Sequence, residues 1–202
     1  MIITASNDSF ELAPPGVYTA RCYRLIDLGT QKSTFQGETK SARKLLLSFE
    51  LLSDDPTERM SDGRAFSVSR RFTASLGDKA ALRAFIESWR GRAFTPDEIS
   101  AGFNLDRLVG VYGLLNLVES ERDGRTYSNI ASISPLPKAM PRPEGENPAT
   151  LFDLAAPDWA IFDTLSDRLK EQISDSPEYK AARQAAPAPV TDAGFADDDI
   201  PF

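Results

Sequence analysis

The spacing of apolar and polar positions changes period along this chain, and each period predicts an element. Residues Gly16–Leu28, reading GVYTARCYRLIDL, follow Pro14-Pro15. They are rich in aromatic and β-branched residues and roughly alternate, which predicts a long first strand. Alternation puts Tyr18, Ala20, Cys22, Ile26 and Leu28 on one face as a core, and Thr19, Arg21 and Tyr23 on the other, where a ligand has access. The polar stretch 29–41 reads as a loop. Arg43–Leu52 then reads as a second strand. After the turn signals Asp54-Asp55-Pro56 and Asp62-Gly63, Ala65–Thr73 reads as a third.

A helical period follows. Leu82, Phe85, Ile86 and Trp89 fall at i, i+3, i+4 and i+7, with Asp78 as candidate N-cap and Gly91 as the stop. This spacing makes Trp89 a core residue. Thr95-Pro96-Asp97-Glu98 is a capping box with proline at the first helical position, so a short helix starts there. Val111–Val118 and Thr126–Ile133 flank Asp123-Gly124, a hairpin turn signal. Three strands, a helix and a hairpin predict a mainly β fold over residues 1–134. The order is that of a five-stranded OB-type β-barrel with its helix between strands three and four. Other small barrels and α+β folds share this order.

Five prolines between Pro135 and Pro148 predict an extended linker over 135–150. Beyond it, Trp159, Phe162, Leu165, Leu169 and Ile173 recur at helical spacing and predict one amphipathic helix within 151–178. That helix has two uses, packing back on the barrel or docking a partner. Residues 179–202 are rich in Ala and Pro and end in acid, a composition that predicts a disordered tail.

Charge divides in the same way. The chain of 202 residues carries a net −7, but Met1–Arg142 has 19 basic and 17 acidic residues, whereas Pro143–Phe202 has 4 and 13. This asymmetry fits a weakly basic module with an acidic interaction tail. The absence of histidine removes His-based acid–base catalysis, Ser-His and Cys-His nucleophile pairs and His-containing zinc sites. The single cysteine, Cys22, removes disulfides and thiolate cages and reads as a buried thiol. No carboxylate cluster accompanies a phosphate-binding glycine loop, so no enzyme, cofactor or metal is expected. The first eight residues lack the features of a signal peptide, and no apolar run approaches the roughly 20 residues of a membrane span. A cytoplasmic protein without membrane contact is therefore expected.

The chain closes on Asp197-Asp198-Asp199-Ile200-Pro201-Phe202 after an Ala/Pro-rich spacer. This ending closely resembles that of bacterial-type single-stranded DNA-binding proteins. The Asp27-Leu28-Gly29-Thr30-Gln31 strand exit and the second helix-bearing region are more similar to phage-encoded members. The resemblance implies sequence-independent binding of single-stranded DNA in replication, recombination and repair, in a bacterial cytoplasm or a phage host. It also implies recruitment of partner proteins through the six tail residues. The tail has physical means for this. The Phe202 ring fills an apolar pocket, its carboxylate suits an arginine, Pro201 limits the entropy lost, and the aspartates steer it to basic surfaces.

Single-strand binding needs cations for phosphates and aromatic faces for bases. The candidates are Arg21 and Tyr23 on strand one, with Lys32, Phe35, Lys40 and Lys44 around the first loop. Arg64, Phe66 and Arg70 near strand three, and Arg122, Arg125 and Tyr127 at the last hairpin, complete the set. The competing reading is an OB module that binds protein in a replication complex without holding DNA, which a barrel net charge of only +2 favours. Self-association into a homo-oligomer stays open.

Overall fold

A computed structural model describes residues 11–35 and 37–185. The tail residues Asp197–Phe202 lie outside them.

Strand β1 (Gly16–Phe35) pairs antiparallel with β2 (Glu38–Leu52), which pairs with β3 (Ser67–Thr73). The other edge of β1 pairs with β4 (Tyr112–Arg122), which forms a hairpin with β5 (Arg125–Pro135). The sheet order is β3-β2-β1-β4-β5, and a short β6 (Thr150–Phe152) adds parallel to β1 at Arg24–Ile26. At the two outer edges, Arg70 of β3 donates to the Ile130 carbonyl of β5 at 3.2 Å. No ladder joins these strands, so the sheet is not closed into the expected barrel by hydrogen bonds.

Helix α1 (Ala81–Arg90) follows β3 and buries Leu82, Phe85, Ile86 and Trp89, the four residues that its period singles out. Its N-cap is Ala80, not Asp78, whose carboxylate instead pairs with Arg83 at 2.5 Å. Trp89 and Phe85 stack edge-on against Phe49 of β2, and the Trp89 indole donates to the Tyr112 carbonyl. Helix α2 (Pro96–Ala101) has the predicted Thr95–Glu98 capping box. The Asp123-Gly124 turn has both residues at positive φ, 53° and 69°, as a two-residue hairpin loop requires.

The sequence reading of β1 is corrected in its second half. Register shifts at Cys22/Arg24 and Asp27/Gly29 insert extra residues opposite β2. Each such bulge reverses which face the following residues occupy. Cys22 and Leu25 therefore point into the main core, while Ile26 and Leu28 turn to the opposite face. There, with Leu46, they meet Phe152, Leu154, Phe162, Leu165, Leu169 and Ile173 in a second core. Sheet faces covered on both sides carry continuous apolar runs, which explains Leu45-Leu46-Leu47.

The single amphipathic helix expected near 157–177 is three short ones: α3 (Trp159–Thr164), α4 (Asp167–Ser174) and α5 (Pro177–Ala185). They pack back on β1 and β2. The expected loop 29–41 is also corrected. It is a two-stranded ribbon, Thr30–Phe35 against Glu38–Arg43, whose ladder needs no apolar face and so left no hydrophobic signal. Cys22 is buried, which pushes its thiol up to about 12. No helix among the described residues is long and apolar enough to cross a membrane.

Candidate nucleic-acid interface

The outer face of β1–β2–β3 is a lattice set by register. Its rows are Arg21–Glu50–Ser67, Arg24–Ser48–Ser69, Ile26–Leu46–Arg71 and Gly29–Lys44–Thr73. The helical segment covers Ile26 and Leu46. At the other end, residues 145–147 lie against Arg21 and Glu50. Glu50 is completely buried and accepts from Arg21 Nε, the backbone N–H groups of Glu146 and Asn147, and the Asn147 amide. Arg21 also donates to the Asn147 carbonyl, and Arg59 pairs with Glu146. The Arg59 hydrogen bond, against partial burial, holds the Glu146 carboxyl below its usual range. The segment expected to be an extended linker is bonded to the sheet here.

Between these two covers lies a trough with a hydroxyl floor. Ser69 donates to the buried Ser48 hydroxyl at 2.8 Å, and Arg24 Nε donates to the same oxygen at 3.3 Å. The Tyr23 hydroxyl and Ser67 share a hydrogen bond of 2.7 Å, and the Arg24 guanidinium lies over the Tyr23 ring at 5.4 Å. Arg71 is exposed on β3 and, with Arg168, Gln31, Gln172 and the carboxylates Glu171 and Asp175, lines a shallow cavity of about 300 Å³ against α4. Among the described residues, neither Arg24, Arg71 nor Arg168 forms an ion pair. Guanidinium groups that form no direct ion pair, beside small hydroxyl groups, can donate charge-assisted bonds to phosphate oxygens, although at Arg71 and Arg168 the nearby Glu171 and Asp175 offset part of the positive charge.

The sequence-derived candidates divide into three groups. Arg21, Tyr23, Phe66 and Arg70 make internal contacts. Phe66 is buried in the main core, and Tyr23 is buried with its hydroxyl bonded. Arg70 shares the inward parity of Val68 and Phe72 and lies 5.1 Å from the Phe72 ring. The second group belongs to the β1–β2 ribbon. Lys32 and Lys40 are exposed, Lys40 being 3.5 Å from Glu38, while Lys44 at its base donates to the Thr73 hydroxyl. Phe35 falls at the ribbon's end, opposite Glu38 in the register.

The third group is peripheral. Arg64 is exposed in the turn before β3, 2.6 Å from Asp62. Arg122, Arg125 and Tyr127 stand on the exposed β4–β5 hairpin, with Arg122 opposite Arg125 in the ladder. Like charges directly opposite one another are destabilising. Arg122 lies 3.6 Å from Asp123 with both side chains more than four-fifths exposed, which offsets little of this. An anion between the two arginines would relieve it.

Arg24, Arg71 and Arg168 were missed by sequence reasoning. For Arg71 a signal existed: it shares the parity of Ser67 and Ser69, as Arg70 shares that of Val68 and Phe72. For Arg24 there was none, because its direction depends on the bulge. No group of three or more His, Cys, Asp or Glu side chains that could hold a metal occurs among the described residues. No protein-family model matches the chain, and no curated protein is significantly similar to it.

Proposed function

We propose that this chain is a single-stranded DNA-binding protein of replication, recombination or repair, with an OB-type barrel and a tail, Asp197–Phe202, that recruits partner proteins. The carrying observation is the sheet order β3-β2-β1-β4-β5 with α1 following β3 and with β3 and β5 side by side. This is the order of a partly open five-stranded OB barrel, a fold that binds oligonucleotides on its second and third strands and adjacent hairpins. In this reading a single strand runs along the serine-floored trough. Arg24 and Arg71 hold phosphates, and the Arg122–Arg125 pair holds another. Tyr127, exposed on β5, offers a face for a base. With Tyr23 and Phe66 buried, stacking supplies less and phosphate contacts supply more, so affinity depends steeply on salt.

The internal contacts of Arg21, Tyr23, Phe66 and Arg70 favour a second reading, an OB module that binds protein and does not hold DNA. One titration decides between them. Fluorescent oligo-dT of about 30 nucleotides is added to the full chain at two salt concentrations, beside a duplex of equal length. Tight, salt-sensitive binding of the single strand over the duplex supports the first reading. No binding at low salt sinks it.

A further inference from the structure

The β1–β2 ribbon is built unlike a compliant binding loop. Six residue pairs, Thr30–Arg43 through Phe35–Glu38, form an unbroken antiparallel ladder closed at Gly37, which has φ of 82°. At about 3.4 Å per residue the ribbon projects roughly 20 Å. Lys32, Ser33, Thr34, Thr39, Lys40 and Ser41 are all exposed, so the ribbon buries almost nothing on the protein itself.

Its root is nevertheless clamped by the helical segment. Gly29 has φ of 67°, and a Cβ there would collide with the Ser176 side chain. The Thr30 N–H and hydroxyl both donate to the Glu178 carboxylate, at 2.8 and 2.5 Å. The Gln31 amide donates to the carbonyls of Leu28 and Gln172, at 2.7 and 2.9 Å. Burial pushes the Glu178 carboxyl up, but the hydrogen bonds from Thr30 prevail and hold it below its ordinary value, so it remains a carboxylate near neutral pH.

Apart from Phe35 at its end, the ribbon presents mainly hydroxyls and lysines, which suit unpaired bases poorly because these bind by stacking on aromatic faces. It is well suited to a duplex. A major groove about 12 Å wide admits a two-stranded ribbon whose strands lie about 5 Å apart, with hydroxyls against base edges and lysines against phosphates. We propose that the ribbon lies in a groove of double-stranded DNA beside the single strand held on the sheet, so that the preferred ligand is a single-strand–duplex junction. This inference rests on the single-strand reading. It makes Glu178 a positioning residue that aims the ribbon.

Three labelled ligands test it against the full chain: oligo-dT of about 20 nucleotides, a blunt duplex of about 12 base pairs, and that duplex carrying the oligo-dT as a tail. The tailed duplex is expected to bind at least about tenfold more tightly than oligo-dT. In Lys32→Ala/Lys40→Ala that preference disappears, affinity for the tailed duplex falling to that of the same variant for oligo-dT, and the salt slope on the tailed duplex falls by about 1.8, the equivalent of two duplex phosphates. Both lysines are exposed, so folding is preserved. Glu178→Ala lowers the preference in the same direction, and Glu178→Gln restores part of it. Equal affinity for the tailed duplex and oligo-dT, or a lysine variant that keeps the preference, overturns the junction assignment alone. A chain that fails to bind oligo-dT, or holds the blunt duplex as tightly as the tailed one, overturns the underlying reading with it.

Discussion

Arg21 and Glu50 are register partners across the β1–β2 ladder, and their ion pair fastens the otherwise irregular residues 145–147 to the outer face of the sheet. Glu50 is wholly buried and Arg21 nearly so. Removing one member of such a pair leaves an uncompensated charge, at a cost of about 3–5 kcal/mol. Glu50→Ala should therefore lower the denaturant midpoint strongly. A measured loss below about 1 kcal/mol, the range of exposed pairs, would show that the clasp does not form in solution.

The second core predicts that sheet and helices unfold together. Phe152 is buried in one cluster with Ile26, Leu46 and Phe162, with a Phe152–Phe162 centroid distance of 5.7 Å. Phe152→Ala should cost about 3–5 kcal/mol and shift tryptophan fluorescence and far-ultraviolet circular dichroism as one transition. Two separate transitions in the native protein would mean that the helical segment folds apart from the sheet.

Acid should weaken α2. Hydrogen bonds from Arg92, from the Thr95 N–H and from Arg90 lower the Glu98 carboxyl to about 2 from its ordinary 4.5. A carboxylate depressed in the folded state contributes stability that is complete above its unfolded value and is lost as pH falls through the folded one. The contribution of Glu98 should therefore decline between pH 4.5 and about 2. Glu98→Gln should flatten stability against pH in that window; an unchanged profile would rule out the capping contact as its source.

Much of this architecture is legible in the sequence, and the failures share physical causes. The periods of α1 and of β2–β5, the capping box and the Asp123-Gly124 turn are local signals and match the observed elements. The bulge at Tyr23 is not local. Its effect on Ile26 and Leu28 is stabilised by helices more than 120 residues away in sequence, which alternation cannot report. The division of the last helices at Leu165-Ser166 and Asp175-Ser176 is likewise hidden, because the apolar spacing persists through both breaks. Candidate binding residues were chosen by type. Parity would have exchanged Arg70 for Arg71.

Tail and sheet should be separable. Burying a Phe is worth about 1.5–3 kcal/mol, which in a micromolar complex is roughly a tenfold to hundredfold loss. Phe202→Ala should abolish docking to replication partners and leave single-strand affinity almost unchanged, whereas Arg122→Ala with Arg125→Ala should do the reverse. Binding of both ligand classes to each variant checks this, and a Phe202 variant that loses DNA affinity would contradict it.

The salt dependence of oligo-dT binding, compared between the native chain and Arg24→Ala/Arg71→Ala, tests the central claim most directly. Each single-strand phosphate contact contributes about 0.7 to the slope of log affinity against log salt, so the double variant should lose about 1.4. Its affinity at low salt should fall while its unfolding midpoint stays near that of the native chain, since neither arginine forms an ion pair within the protein. An unchanged slope and affinity would contradict the claim that the serine-floored trough carries the strand.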